Sequence, residues 1–579
     1  MAADSPSLGV SSPSSSTTGL QLLLLMVMLV YLAQTLRPRR KSTCAAPLPP
    51  GPMPLPVVGN LPEMLLSDKP ALRWIHHVMK ETGTDIACVK LGGVHVIPIA
   101  CPKIAREVLK RHDANFASRP LTFASKRFSR GYMDAVMSPS GDHWRKMRRV
   151  LASEVVCPSR HVWLHDMRAD EADNLTLYVY NLAGEEGTVV DVRHVARHYC
   201  GNVVRRLVFN QRYFGEPQPD CGPGPPEVQH VDAVFASVGL LYSFHVTDYL
   251  PWLLGLDLDG HEKMLMEANE TVSWLHDTFI DERWRQWKSG ERLDEPEDML
   301  DVLITLKDAE GKPVLSIEEV KALLMDITFA AMDNPSNAVE WALAEMVNSP
   351  EMMKKAVEEI DTVVGRDRLV QESDIPRLNY LKACIREAFR LHPVAPFNVP
   401  HVALEDANVA GYHGYRHGLG DIEVAAGYHI PKSSHVILSR IGLGRNPGVW
   451  DGPLRFNPDR HLAAADPMAE VTLAENDLRF ISFSTGRPMS IMLFGRLLQG
   501  FSWSKPAGIS AVDLSESRHD IFMAKPLVLH AEPRLPVHLY TVLSAAEFMA
   551  RHEGGVMEEG VANAGGGRRG NQVRTAAQR

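Results

Sequence analysis

Paired cysteines are missing from this chain of 579 residues: its seven, Cys44, Cys88, Cys101, Cys157, Cys200, Cys221 and Cys384, lie far apart and form no C-x-x-C pair. That excludes a zinc-knuckle site and a dense disulfide framework, and it points to a reducing environment. A basic excess is missing too. Against 61 Lys and Arg stand 70 Asp and Glu, a net charge of -9, whereas a surface that tracks nucleic-acid phosphates needs the opposite balance. General nucleic-acid binding is therefore excluded. No long linker interrupts the stretch from Gly51 to Tyr540, so one large body is expected where about 150 residues per domain would allow several. Disorder throughout is excluded by a composition of 45% hydrophobic and 23% charged residues, which is ordinary for a globular protein.

Residues 1–18 are rich in Ser and Pro and are expected to be disordered. Behind them, within 19–36, lies an uncharged apolar run, Leu20 to Leu36 (LQLLLLMVMLVYLAQTL), followed by Arg37, Arg39, Arg40 and Lys41. At about 1.5 Å rise per residue such a helix reaches roughly the hydrocarbon thickness of a thin bilayer, and the basic cluster behind it should stay cytoplasmic. A cleaved signal peptide is the alternative, disfavoured because the basic residues follow the apolar run. Residues 37–61 form a basic and proline-rich hinge, PLPPGPMPLPVVGNL being stiff and extended. The body, 62–540, reads as mostly α with a minor β part. Apolar residues at three- and four-residue spacing dominate, and Val94 to Ile99 and His435 to Leu438 read as strands of a small accessory sheet. Gly411-Tyr412-His413 recurs as Gly427-Tyr428-His429, which marks 411–426 as an insertion in a turn. The tail 541–579 is biased to Gly, Ala and Arg and is given no function.

Three clusters carry chemistry. Glu387 and Arg390 lie three residues apart on one helical face, and Arg460 in RFNPDRHL would complete a Glu-Arg-Arg network that locks a helix to an irregular loop. A lone Glu/Arg pair at that spacing is otherwise a solvated surface bridge. Trp144 and Arg148 in HWRKMRR stand one helical turn apart, suited to hydrogen-bonding an anionic group or, alternatively, to an amphipathic surface helix. The clearest helix opens at Ser316, whose S-x-x-E spacing to Glu319 suits a capping box, and runs past Val339. Within it, in FAAMDNPSNAVEW, Pro335 removes one hydrogen bond and opens the backbone for a small ligand or water. Asp333 places a carboxylate beside that groove, one turn from Ala330.

In this order, and behind the apolar run and the proline hinge, E-x-x-R, F-x-P-x-R, W-x-x-x-R and A-x-x-D resemble a plant microsomal cytochrome P-450. More narrowly, DNPSNAVEWALAEM, LVQESDIPRLNYLKAC and REAFRLHPVAPFNVPHVA resemble the plant enzymes that N-hydroxylate amino acids. The resemblance implies the cytochrome P-450 fold as a single large domain behind an N-terminal membrane anchor, heme b as cofactor, and a body on the cytosolic side of the endoplasmic reticulum membrane. It implies two successive N-hydroxylations of an L-amino acid, expected to be aromatic, then dehydration and decarboxylation to an aldoxime in secondary or defence metabolism. O2 and electrons from an NADPH-dependent reductase are the implied partners. By the same resemblance Trp144, Arg148, His401 and Arg487 would hold the haem propionates, Asp333 and Asn334 would manage protons near bound oxygen, and Phe397 and Asn398 would line the substrate pocket.

The family's iron-ligand loop reads F-x-x-G-x-R-x-C-x-G, in which the cysteine thiolate donates electron density to the iron. Here Phe483-Ser484-Thr485-Gly486-Arg487 begins it, and Pro488-Met489-Ser490-Ile491-Met492-Leu493-Phe494 follows at once. The expectation is a deletion after Arg487 that removes the cysteine and the start of the next helix, and hence no metal ligand. Cys384, on the Glu387 helix, reads as a buried structural thiol. Two readings stay open: an aldoxime-forming enzyme whose sequence has lost a segment through a faulty gene model, or a haem-free, catalytically dead relic of one.

Overall fold

The computed structural model describes residues 46–184, 188–257, 259–292, 295–410, 416–417, 420–421, 427–463, 469–482 and 487–541. The expected disordered start, the 19–36 anchor, part of the hinge, most of the 411–426 insertion, Phe483 to Gly486 and all but the first residue of the 541–579 tail lie outside them. Among the described residues no helix is long and apolar enough to cross a membrane.

The helices that position the site are α1 (Ala71–Thr82), α2 (Phe123–Phe128), α3 (Asp142–Val150), α4 (His165–Ala183), α5 (Val192–Phe209), α6 (Pro225–Leu241), α7 (His261–Ser289), α8 (Ile317–Asn348), α9 (Pro350–Val363), α10 (Asn379–Leu391) and α11 (Arg487–Gly500). At the centre lies α8, because its apolar residues surround it instead of forming one stripe. Leu324, Met332, Val339, Trp341 and Met346 are all buried, and a helix apolar all round belongs inside a large body. The Ser316 N–H donates to Glu319 Oε2 at 2.8 Å while Ser316 Oγ accepts from the Glu319 N–H at 3.3 Å, so the capping box satisfies the first turn. At the other end Ser349 precedes Pro350, is driven out of the α region (φ -130°, ψ 76°), and Pro350 opens α9. Around α8, residues of α4, α5, α6, α10 and α11 join one continuous core.

The small sheet stands to one side. It orders β1 (Val89–Leu91), β2 (Val94–Ile99), β5 (His435–Leu438) and β3 (His401–Val402), where β4 (Tyr428–Ile430) intervenes in the chain. The hairpin between β1 and β2 turns at Gly92, whose φ is +54°, and a Cβ there would meet the Tyr249 carbonyl oxygen at 2.1 Å. Only glycine meets both demands. β2 and β5, the two strands legible in the sequence, pair in parallel from Val96 opposite His435 to Ile99 opposite Leu438, and β3 joins antiparallel with His401 opposite Val436. This register gathers residues 397–402 and 435–440 into one place. The suspected insertion falls between Ala407–Val409 and β4, which pair directly, Val409 opposite Tyr428. Extra sequence emerging from such a hairpin leaves the sheet register unchanged.

Candidate functional site

Glu387 and Arg390 are both fully buried, and their side chains pair at 2.7 and 2.8 Å. Arg460 Nε donates to Glu387 Oε1 at 3.0 Å. Arg390 also donates to the carbonyls of Gly444 and Pro453 at 2.6 and 2.7 Å, which ties α10 to the loop that carries Arg460. His461, which pattern reading passed over, adds a contact of its Nε2 to Glu387 Oε2 at 2.8 Å. Burial alone would raise the Glu387 carboxyl, but hydrogen bonds from Arg390 and His461 outweigh it and hold the group down to about 2.

On α8 the polar residues are short of partners. Asp333 Oδ1, Asn334 Oδ1, both polar atoms of the Asn337 side chain and Trp341 Nε1 are buried without a hydrogen bond among the described residues. Asp333, Asn337 and Trp341 recur every four residues and so follow one face. Buried polar atoms are rarely left so, and a run of them marks a place built for water or a bound molecule. The helix continues through Pro335 without a break. What Pro335 removes is the bond to the Ala331 carbonyl, while Asn334 Nδ2 donates to the Ala330 carbonyl at 3.1 Å and Ser336 Oγ to that of Met332 at 2.9 Å. Burial pushes the Asp333 carboxyl up to about 7, with Arg197 and Arg440 acting against it. A group there exchanges a proton near neutrality.

Asp333 faces a cavity of about 360 Å³ whose wall includes Leu72, Val238, Tyr242, Phe244, Pro396 and Phe522. A second, narrower one of about 60 Å³ is lined by Ser125, Phe397, Asn398 and His435, and shares Tyr242, Ser243 and Phe244 with the first. Phe397 is fixed by stacking on His76, ring centroids 4.8 Å apart. Asn398 is clasped to the end of β5, its Oδ1 accepting from the Leu438 N–H at 2.5 Å.

The haem that the resemblance implies must find an electron-pair donor for its iron and hydrogen-bond donors for its two carboxylates. At the carboxylate end the structure collects hydrogen-bond donors, two of them arginines. Arg119, half-buried, donates through Nε to the Val136 carbonyl at 3.1 Å and through one terminal nitrogen to those of Val399 and Pro400 at 3.0 Å. His401 Nδ1 contacts the Phe116 carbonyl at 2.6 Å, leaving Nε2 to face outward from that bond. Burial first, and then the neighbouring Arg119, lowers His401 to about 3, and after burial the charge of Arg148 is the leading influence on Arg119. Arg148 itself is exposed and Trp144 half-buried on α3. Like charges gathered without a full set of carboxylate partners suit an anion. Arg119 is the member that sequence reading missed, since a single Arg in Ser118-Arg119-Pro120 has no periodic signal.

The iron end does not fit. No cysteine follows Cys384 in the sequence, and helix α11 is already under way from Arg487, whose side chain lies outside the described residues. Ile491, Met492, Leu493 and Phe494 are buried in the core, as the interior of a helix would be. Cys384 is fully buried on α10, where burial pushes its thiol well above the ordinary range, the reverse of what a thiolate ligand needs. Among the described residues no cluster of His, Cys, Asp or Glu is arranged to hold a metal ion.

Comparison with known proteins adds four findings. The family model for Cytochrome P450 matches residues 49–506. The chain is 69% identical over 558 residues, 92% of its length and 96% of the relative's, to Tyrosine N-monooxygenase of Sorghum bicolor. It is 53% identical over 504 residues, 85% of its length and 89% of the relative's, to Tryptophan N-monooxygenase 1 of Arabidopsis thaliana, and 48% identical over 546 residues, 92% and 96%, to Valine N-monooxygenase 1 of Manihot esculenta.

Proposed function

Because the chain belongs to the cytochrome P450 family, we propose that it is a monooxygenase that N-hydroxylates the α-amino group of an aromatic L-amino acid on the way to an aldoxime. The observation that carries this is near-full-length identity of 69% to a tyrosine N-monooxygenase, together with a buried carboxyl set beside a cavity of mixed polar and apolar lining. Asp333, titrating near neutrality, holds or releases a proton at its carboxyl. Asn334 spends its amide donor on the Ala330 carbonyl and keeps its oxygen as an acceptor. The aromatic wall of Tyr242, Phe244 and Phe397 excludes bulk water and suits a ring-bearing side chain. Arg119, Arg148 and His401 would hold the carboxylates of a haem, which supplies the oxidising chemistry when bound. O2, an NADPH-dependent reductase and the cytosolic face of the endoplasmic reticulum, reached through residues 19–36, complete the reading.

A second reading is favoured by one specific observation, the absence of any cysteine after Cys384. The segment that follows Arg487 therefore offers no thiolate donor for an iron, and no step is assigned to that iron. Such a chain is haem-free or binds haem without a thiolate, and is catalytically silent. Sequencing the transcript across Arg487, and expressing the chain with and without a restored cysteine-bearing segment while feeding tyrosine, phenylalanine, tryptophan and valine, separates the readings. Aldoxime from the restored chain alone supports both the activity and the lesion. Aldoxime from neither removes the proposed activity.

A further inference from the structure

The two cavities of the site differ in size and in what their walls offer. The smaller, of about 60 Å³, has room for a hydroxyl group or a water or two and not for a whole amino acid. It shares Tyr242, Ser243 and Phe244 with the larger cavity, so the tip of a side chain held in the larger one can enter it. Aromatic rings form much of its wall. Phe244 meets Phe397 edge-on with ring centroids 6.1 Å apart, and it lies nearly parallel to Tyr249 at 6.4 Å.

Several polar groups of that wall are spent on their neighbours. Thr122 Oγ1 donates to Ser125 Oγ at 2.8 Å, Ser125 Oγ to the Pro120 carbonyl at 3.2 Å, and Ser243 Oγ to the Gly239 carbonyl at 3.0 Å. Asp248 is different. Its Oδ1 accepts from the Phe123 N–H at 2.6 Å, which fastens the short helix Val246–Tyr249 to the start of α2. Among the described residues its carboxylate makes no other hydrogen bond and no ion pair. Burial raises it to about 6, so it is largely ionised in neutral solution and keeps acceptor capacity for a donor. His435, the first residue of β5, lines the same cavity, with the Tyr249 ring 6.1 Å from its own. Its ring makes no hydrogen bond among the described residues. Burial lowers it to about 4, so the imidazole is neutral and carries one N–H donor and one acceptor nitrogen.

We propose, on the amino-acid reading above, that Asp248 and His435 receive the phenolic hydroxyl of tyrosine, Asp248 accepting a hydrogen bond from the O–H and His435 donating one to its oxygen. The ring then lies along Phe244 and Phe397, and the amino group stays in the larger cavity, in whose wall Asp333 stands. Phenylalanine would take water from Asp248 and His435 and return no hydrogen bond. The two residues therefore set the choice among aromatic amino acids and leave the chemistry at the amine to other groups.

Equilibrium dialysis of the full-length chain in its membrane with labelled L-tyrosine and labelled L-phenylalanine, which differ by that one oxygen, tests this. Wild type is expected to hold tyrosine roughly 10- to 100-fold more tightly, the scale of a hydrogen bond to a charged group. Asp248→Asn keeps an oxygen for the Phe123 N–H but sets an amide donor where the phenol needs an acceptor. Tyrosine then falls to the level of phenylalanine, whose own binding is unchanged. His435→Leu weakens tyrosine about fivefold and phenylalanine not at all, and His435→Gln, which keeps a donor, retains part of the preference. An Asp248 that only fastens α2 would leave the ratio of the two ligands in Asp248→Asn at its wild-type value. That result, or variants that weaken both ligands alike, overturns the assignment. Wild type that binds tyrosine and phenylalanine equally overturns this inference alone. Wild type that binds none of tyrosine, phenylalanine, tryptophan or valine overturns the functional reading with it.

Discussion

Asp333 and Glu387 are both buried carboxyl groups, yet their neighbours push them in opposite directions. Asp333 is raised to about 7, so the folded chain binds a proton there that the unfolded chain, with a value near 3.8, has lost. Its contribution to stability is therefore full below about pH 3.8 and falls away as pH rises to about 7, a change on the order of 4 kcal/mol. Urea unfolding across that range should show a decline in wild type that is smaller by this amount in Asp333→Asn. Glu387 is held down to about 2. Its contribution is present above the unfolded value and is lost only as pH falls toward 2. Glu387→Gln strips the charge from a network in which Arg390 is enclosed and Arg460 nearly so, and is expected to cost about 3 to 5 kcal/mol. A melting temperature within a degree of wild type would contradict the network's role.

Two elements depend on local signals that can be tested singly. The start of α8 rests on the reciprocal bonds of Ser316 and Glu319, so Ser316→Ala should cost about 1 kcal/mol in unfolding free energy. Gly92 turns the β1–β2 hairpin at positive φ against the Tyr249 carbonyl. A valine there meets both a strained backbone and a clash with main chain, and Gly92→Val should lower the melting temperature by more than Ser316→Ala does. The contrast between α8 and the sheet is one of range. Ser316 and Glu319 are three residues apart and their pattern is visible in the sequence, whereas β2 finds β5 across more than 330 residues and its partner is set only by the packed body.

At the scale of the molecule the described core is continuous although no cysteine follows Arg487. α11 is buried against α8 and α10 within that core, so the packing of the body does not depend on a cysteine there. Full-length chain supplied with haem and reduced under carbon monoxide is expected to lack the red-shifted Soret band of a thiolate-ligated iron. Appearance of that band would show a thiolate donor that the sequence does not reveal. A second long-range device links the loop before α3 to α8. Asp326, fully enclosed on α8, accepts from the Ala135 N–H at 2.8 Å, and burial and then the nearby Asp134 hold its carboxyl well above the usual range. Because that value is raised, ionisation as pH climbs sets a second negative charge beside Asp134 in a buried place and destabilises the fold there. Asp326→Asn, which keeps an acceptor oxygen for the Ala135 N–H and carries no charge, should leave the chain as stable or more stable at neutral pH by thermal melting.

The family, the helical class, the capping of α8, the Glu387–Arg390–Arg460 spacing and the absent cysteine are all properties of neighbours along the chain or of motifs with fixed spacing, and the sequence alone was sufficient for them. Arg119 and His461 carry no such pattern. Each is a single polar residue whose meaning comes from what folds against it: His461 from the buried Glu387, Arg119 from the carbonyls of Val399 and Pro400. Burial decides their chemistry, since the cost of a charge depends on the dielectric and partners around it and not on its place in the chain. The absence of a cysteine after Arg487 was therefore legible from sequence, while the partners of His461 and Arg119 became visible only once distant segments had packed together.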